Sequence, residues 1–220
     1  MDDKEKFEWL YDHYKESNEL RLKDQANRNK FFVWLCVAEA AAFLLICRPY
    51  DITTAFSEGI NSKYGTHLAI GLGVFQTLLW VITLYIAIRY IQAMLSVERS
   101  YVYQEDLEKR MTEIGVPIQR EGERYTADYP MVSNFIDLFY KMLCPIFFFI
   151  LNGVRIVMEY RTIFCVTWHF VFDCILCIVL EVITWFYFFQ IHSKITGWCK
   201  RHIPGIGKIA NGLRKLLKEV

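Results

Sequence analysis

The sequence lacks the short motifs that mark most enzyme active sites. It contains no G-x-x-x-x-G-K-S/T phosphate-binding loop, no G-x-G-x-x-G dinucleotide-binding loop, no H-E-x-x-H zinc motif and no G-x-S-x-G nucleophile elbow. The five histidines stand in none of these contexts. We therefore predict that the chain is not an enzyme and binds no cofactor.

Neither sign of charge predominates in the chain. Lys and Arg number 25 against 24 Asp and Glu, which leaves a formal net charge of +1. Proteins that bind nucleic acid directly carry a basic excess. We therefore predict no direct nucleic-acid partner.

The cysteines do not form a disulfide framework. There are seven of them, an odd number, and most lie within apolar segments, where a thiol behaves as a small buried side chain. Cys174 and Cys177 have the spacing of a zinc motif, but they lie in an apolar run with no second pair. We predict no metal site.

Long apolar segments are what the chain has in abundance. Hydrophobic residues make up 54% of the sequence, and about 20 consecutive apolar residues suffice to cross a bilayer. We predict an all-α integral membrane protein with four transmembrane helices, at 31–48, 67–89, 138–158 and 163–190. The third is the weakest, because its apolar core is short and contains Pro145, Asn152 and Gly153.

The distribution of Lys and Arg predicts the orientation of these helices. The segments between and around the spans carry seven, two, seven, two and seven basic residues in chain order. Under the positive-inside rule the basic segments stay in the cytoplasm. We therefore predict a multi-pass protein of the cell (inner) membrane with both termini cytoplasmic and external loops at 49–66 and 159–162.

Each cytoplasmic segment has its own predicted role. Residues 1–30 form an amphipathic helix that leads into the first span, and residues 90–137 form a helical segment broken at Gly115. Residues 191–220 form a basic amphipathic helix that lies on the lipid surface or, as the alternative, packs on the protein's own cytoplasmic helices. The basic lipid-surface residues of this tail are Lys208, Arg214, Lys215 and Lys218. The densest polar cluster of the middle segment, where a partner or ligand would dock, is Arg120, Glu121, Arg124 and Tyr125.

Polar side chains inside the predicted spans are the candidate functional residues, because ionisable groups in hydrocarbon are costly. They are Glu39, Gln76, His169, Asp173, Cys177 and Glu181. Those of the fourth span recur every four residues, together with Cys165, and form one winding line, here called the polar stripe. Two interpretations stay open: the stripe lines a water-filled path between helices or subunits, or it holds a helix bundle together.

In layout the chain resembles the small multi-spanning membrane effector proteins of bacterial anti-phage defence systems. The residues that carry the resemblance are Leu10-Tyr11-Asp12-His13-Tyr14-Lys15 before the first span, and Leu107-Glu108-Lys109-Arg110 and Arg120-Glu121 after the second. The resemblance implies a homo-oligomer whose cytoplasmic layer senses a partner or ligand and whose spans then depolarise the membrane.

Our leading hypothesis is therefore an oligomeric effector of the pore type, gated through its cytoplasmic helices. The first alternative is a membrane anchor that recruits a soluble cytoplasmic partner protein through the middle segment. The second is a small ion or proton transporter that uses Glu39, Asp173 and Glu181, although four spans without an internal repeat are few for alternating access.

Overall fold

The structure is a computed structural model, and it describes residues 3–65, 67, 71–115, 135, 139–163 and 167–191. Every regular element within these ranges is helical. In chain order they are α1 (Asp3–Cys47), α2 (Pro49–Tyr64), α3 (Leu72–Glu113), a π-helix (Phe139–Leu143), α4 (Cys144–Ile163) and α5 (Trp168–Ile191).

Helices α1 and α3 are far longer than a bilayer requires. They contain 45 and 42 residues, so each is roughly 65 Å long against about 30 Å of hydrocarbon. α1 contains neither glycine nor proline, and it ends where Pro49 opens α2. α3 ends at Glu113, just before Gly115, whose φ of 95° is left-handed.

The two long helices pair as an antiparallel hairpin over most of their length. Near the start of α1 and the end of α3, the Tyr14 hydroxyl donates to Glu108 Oε1 at 3.0 Å. Further along, the Ser96 hydroxyl donates to the Asp24 carboxylate. Closer to the apolar segments, the rings of Phe32 and Tyr90 lie 5.9 Å apart. We call the part of the hairpin formed by residues 3–30 and 90–113 the stalk.

The stalk has an apolar seam with buried polar groups set into it. Leu10, Tyr14, Leu107 and Met111 form its core cluster at the far end. Gln104 is fully buried, and Arg21 is stacked on Tyr101 with its guanidinium carbon 4.9 Å from the ring centroid. Buried polar groups tolerate a shift in register poorly, because a slip removes their partners. They therefore favour one alignment of α1 with α3.

Three helices are long and apolar enough to cross a membrane, namely α1, α3 and α5. This agrees with a membrane protein. The predicted third span, 138–158, corresponds to the π-helix and α4, which do not reach that standard. The reason is in α4 itself, since its 20 residues include Arg155, Glu159 and Arg161.

Helix α5 packs directly against the apolar part of α3, and α4 joins this bundle. At one end of this contact, Tyr187 of α5 lies beside Tyr90 of α3, with ring centroids 6.3 Å apart. At the other end, a Cβ added to Gly73 would lie 3.5 Å from the His169 side chain, an ordinary van der Waals contact. α3 and α5 thus run in the same direction. α4 runs back in the opposite direction against α5 and α1, and it reaches α3 through side chains such as the hydrogen-bonded pair Trp80 and Glu159.

Both segments predicted as external loops contain helix. Residues 49–64 form α2, because Pro49 preorganises its first turn and Gly65, with a φ of 63°, ends it. Residues 159–162 continue α4 to Ile163. The predicted docking residues Arg120, Glu121, Arg124 and Tyr125 lie outside the described residues. So do Cys165 and the tail residues Lys208, Arg214, Lys215 and Lys218.

The alignment of the stalk can be tested by disulfide cross-linking. In a chain whose native cysteines are replaced by serine, we expect Asp24→Cys with Ser96→Cys to form a disulfide under mild oxidation, because these side chains touch. The pair Asp24→Cys with Tyr103→Cys, displaced along α3 by two turns or about 10 Å, is the control. Gel mobility with and without reductant measures both, and faster cross-linking of the displaced pair would contradict the alignment.

Candidate functional site: a buried charge cluster

Arg155 of α4 is the central residue of a charged cluster inside the helix bundle. Its side chain is only 4% exposed. The guanidinium carbon lies 3.8 Å from the centroid of the Trp80 ring, well within cation–π range. Nη1 donates a long hydrogen bond to the Thr83 hydroxyl and Nη2 another to the Gln76 carbonyl, both at 3.5 Å. One face of α3 thus supplies an aromatic ring and two oxygens to the cation.

Glu159, one turn further along α4, is tied to the same tryptophan. The Trp80 indole Nε1–H donates to Glu159 Oε2 at 3.1 Å, and the carboxyl group is 1% exposed. Trp80 is fully buried as well. A single indole therefore stacks on the cation with its face and binds the acid with its edge, which fixes both charges relative to α3.

Asp173 of α5 completes the cluster. It is fully buried and lies in electrostatic range of Glu159, Arg155 and His169. Its carboxyl group lies close to the Glu159 carboxyl and the Thr77 hydroxyl, but neither of its oxygens makes a hydrogen bond of normal geometry. Glu159 Oε1 and the side-chain oxygens of Gln76 and Thr77 are likewise buried without one. Buried polar atoms left unpaired each cost about 1–3 kcal/mol, so their concentration at one place calls for a functional explanation.

The structure brings some of the predicted site residues together and separates others. Gln76 and Asp173 lie within the cluster, and Cys177 is buried against Trp80 and Leu180. His169 is exposed at the end of α5, and no described side chain bonds to it. The polar stripe thus turns from the surface at His169 into the interior of the same chain at Asp173.

Glu39 and Glu181 form a second, looser part of the cluster. Glu39 of α1 is half-buried and lies in electrostatic range of Arg155, and Glu181 of α5 in range of Glu39. One oxygen of Glu39 and both oxygens of Glu181 have no hydrogen-bond partner. The described carboxyl groups of the cluster number four, namely Glu39, Glu159, Asp173 and Glu181. Arg155 is their one permanent cation within the described residues.

This balance of charges means that the cluster is neutral only when three of the four carboxyl groups carry a proton. Uncompensated charge in the interior costs several kcal/mol per ion. Such a site can therefore hold protons, or accept a cation in their place. No three His, Cys, Asp or Glu side chains of the described residues are arranged to bind a metal ion.

Arg155, Glu159 and Trp80 were missed by the sequence reasoning. Arg155 lies in the predicted third span but was counted only among the basic residues of the outer segment, Glu159 fell in the predicted external loop, and Trp80 was one apolar residue among many in the second span. A usable signal was present, because Asn152, Arg155 and Glu159 are spaced i, i+3, i+7 and so share one helical face. All three are buried.

Comparison with known proteins adds no relative. No protein-family model, no curated protein and no solved structure matches the chain. The functional argument therefore depends on the geometry of the cluster.

We predict that Arg155→Met destabilises the protein by about 3–5 kcal/mol, because it leaves buried carboxyl groups without their cation. Arg161→Met, an exposed change on the same helix, is the matched control and should have little effect. The free energy of unfolding in mixed micelles measures both. If Glu159 and Arg155 act together, adding Glu159→Gln to Arg155→Met restores part of the loss, whereas strictly additive effects would contradict the pairing.

Proposed function

We propose that this protein is an oligomeric membrane effector of the pore type, in which the stalk receives the trigger and the Arg155 cluster conducts protons or small cations. The observation that carries the proposal is the group of buried carboxyl groups around Arg155 and Trp80, several of whose oxygens have no hydrogen bond of normal geometry. Charged groups at membrane depth are costly and mark ion pathways and proton relays. A purely structural cluster would be expected to pair its acceptors.

The position of the cluster favours a path inside each subunit. Asp173 has no exposed surface within a single chain, and it faces α3 and α4 of that chain. A pore between subunits would instead place the polar stripe on the outer surface. We therefore expect ions to pass between α3, α4 and α5.

A fourth crossing by α4 belongs to the same proposal. α4 extends along α3 from the level of Ala87, where Phe148 packs, to Trp80. Its charged residues Arg155 and Glu159 are buried against protein rather than lipid. The free-energy cost of placing them in the bilayer is therefore lower than for lipid-facing charges. Four crossings return the C-terminus to the side of the N-terminus, in accord with the distribution of basic residues.

The stalk is suited to transmit a trigger to the cluster. α3 carries the stalk contacts of Leu107 and Met111 at one end and Trp80 near the other, within one continuous helix. The only glycine of α3 is Gly73, and the helix contains no proline. A shift or rotation at the stalk is therefore not absorbed by a kink before it reaches Trp80.

Proton flux into liposomes tests the proposal directly. We predict that Asp173→Asn and Glu159→Gln each lower the flux by about tenfold or more, which corresponds to about 1.4 kcal/mol of added barrier. Glu58→Gln removes an exposed acid of α2 and is the control. If well-folded wild-type protein passes no protons under any condition tested, proton conduction is contradicted.

Exposed apolar residues on the stalk support association with further chains. Trp9 and Leu20 are both 56% exposed, and they lie three turns apart on one side of α1. Leu22 is 50% exposed and Val102 of α3 is 69% exposed. These residues lie beyond the apolar segments that cross the bilayer, so lipid does not account for them. They favour either copies of the stalk or, as the alternative function, a soluble partner recruited by a membrane anchor.

We predict that Trp9→Lys with Leu20→Lys reduces the number of subunits per particle, because a new charge at a packed apolar contact costs several kcal/mol. The control is Ala26→Lys, which adds a charge at another exposed position of the stalk. Light scattering of the detergent-solubilised protein measures the mass. An unchanged oligomer would contradict assembly through this face, and a monomeric wild type would favour the anchor.

The biological setting of the proposal comes from the resemblance alone. A bacterial inner-membrane effector of anti-phage defence would dissipate the membrane potential when a phage component or a signal reaches the stalk. A potential-sensitive dye in cells that express the protein, followed through infection, tests this setting separately from conduction in liposomes.

A further inference from the structure

A cavity of about 630 Å³ lies beside the charge cluster, at the end of the spans nearer the stalk. It is enclosed by α1, α3, α5, the π-helix and the start of α4. Small-molecule sites typically measure about 300–1,000 Å³. Phe43 and Phe147 form part of its lining and are 58% and 65% exposed, so the cavity opens to the surroundings of the bundle.

The lining is apolar apart from a few groups. Glu39 is the one acid among the lining residues, and its Oε1 is buried without a hydrogen-bond partner. The Tyr187 hydroxyl is buried as well, on a side chain 4% exposed, and it lies near the Tyr90 hydroxyl without forming a hydrogen bond of normal geometry. The cavity therefore offers a largely apolar surface with an unpaired acceptor at Glu39.

The backbone at this cavity is irregular. Residues Phe139–Leu143 form a π-helix directly before Cys144, and Phe139, Tyr140 and Leu143 line the cavity. π-helices are rare and often lie at functional sites. Here the widened turn adds aromatic side chains to the wall that faces α1, where the Tyr140 and Phe32 rings meet at 5.3 Å.

We propose that this cavity binds an amphiphile whose apolar body fills the space between the π-helix and α1 and whose cationic, hydrogen-bond-donating head group meets Glu39. Charge complementarity selects the head group. Glu39 is linked to Glu181 and to the Arg155 cluster, in which acids outnumber permanent cations. A protonated amine satisfies the unpaired Glu39 oxygen and reduces this excess, whereas a carboxylate would add to it. The inference does not depend on ion conduction.

Photoreactive twelve-carbon probes test the proposal. Dodecylamine, dodecanol, dodecanoate and dodecane, each with a diazirine in the chain, are applied to the full-length protein in lipid vesicles, and mass spectrometry locates the label. The measured quantity is the labelling of Phe147 and Leu151, which line the cavity, relative to Ile178, which is 62% exposed on α5. We expect this ratio to be about tenfold higher for the amine than for the carboxylate, equivalent to about 1.4 kcal/mol.

Two variants test the head-group contact and the cavity space separately. Glu39→Gln should lower the labelling ratio of dodecylamine to that of dodecanol. Ala40→Phe, at an exposed lining position, should reduce cavity labelling by every probe. Val37→Phe, exposed on the same helix and outside the lining, is the control. Equal enrichment of all four probes would mean a site for lipid chains only, and no enrichment at Phe147 would mean no site. Either result overturns the proposal.

Discussion

The contact between the Arg155 guanidinium and the Trp80 indole is the interaction on which the arrangement of the bundle depends. A cation at membrane depth is stable only when protein groups replace its hydration. Trp80 supplies its ring face at 3.8 Å, and its Nε1–H holds Glu159 nearby at 3.1 Å. These contacts require α4 to turn its charged face toward α3. α5 then covers the remaining side with Asp173.

The same helix that carries Trp80 also forms half of the stalk. α3 is continuous from Leu72 to Glu113, and its pairing with α1 is fixed by an apolar seam with buried polar groups. The stalk, the cluster and the apolar cavity therefore share one rigid element. Under the two proposals, an event at the stalk and an amphiphile in the cavity would both act on the surroundings of Trp80 and so give the effector two places of control.

Much of the helical architecture follows from local sequence features, whereas the cluster does not. The absence of glycine and proline from residues 3–47 predicts the long α1, and Gly115 predicts the end of α3. By hydropathy α4 falls short of a spanning helix, because Arg155 and Glu159 count against it although both are buried. Their partner Trp80 lies more than 70 residues away in sequence, and only packing brings them together. The acids of the polar stripe were found because charge within an apolar run is visible without tertiary structure.

Proton conduction requires that the buried carboxyl groups exchange protons with water although the bundle covers them. Infrared spectroscopy of the protein in lipid, with transfer from H₂O to D₂O, measures this exchange. We expect a carboxyl C=O band to shift on deuteration within the time of the experiment, and Glu159→Gln or Asp173→Asn to remove part of that band. A band assigned to these residues that does not exchange would show a dry cluster that only holds the helices together, and it would contradict conduction through the cluster.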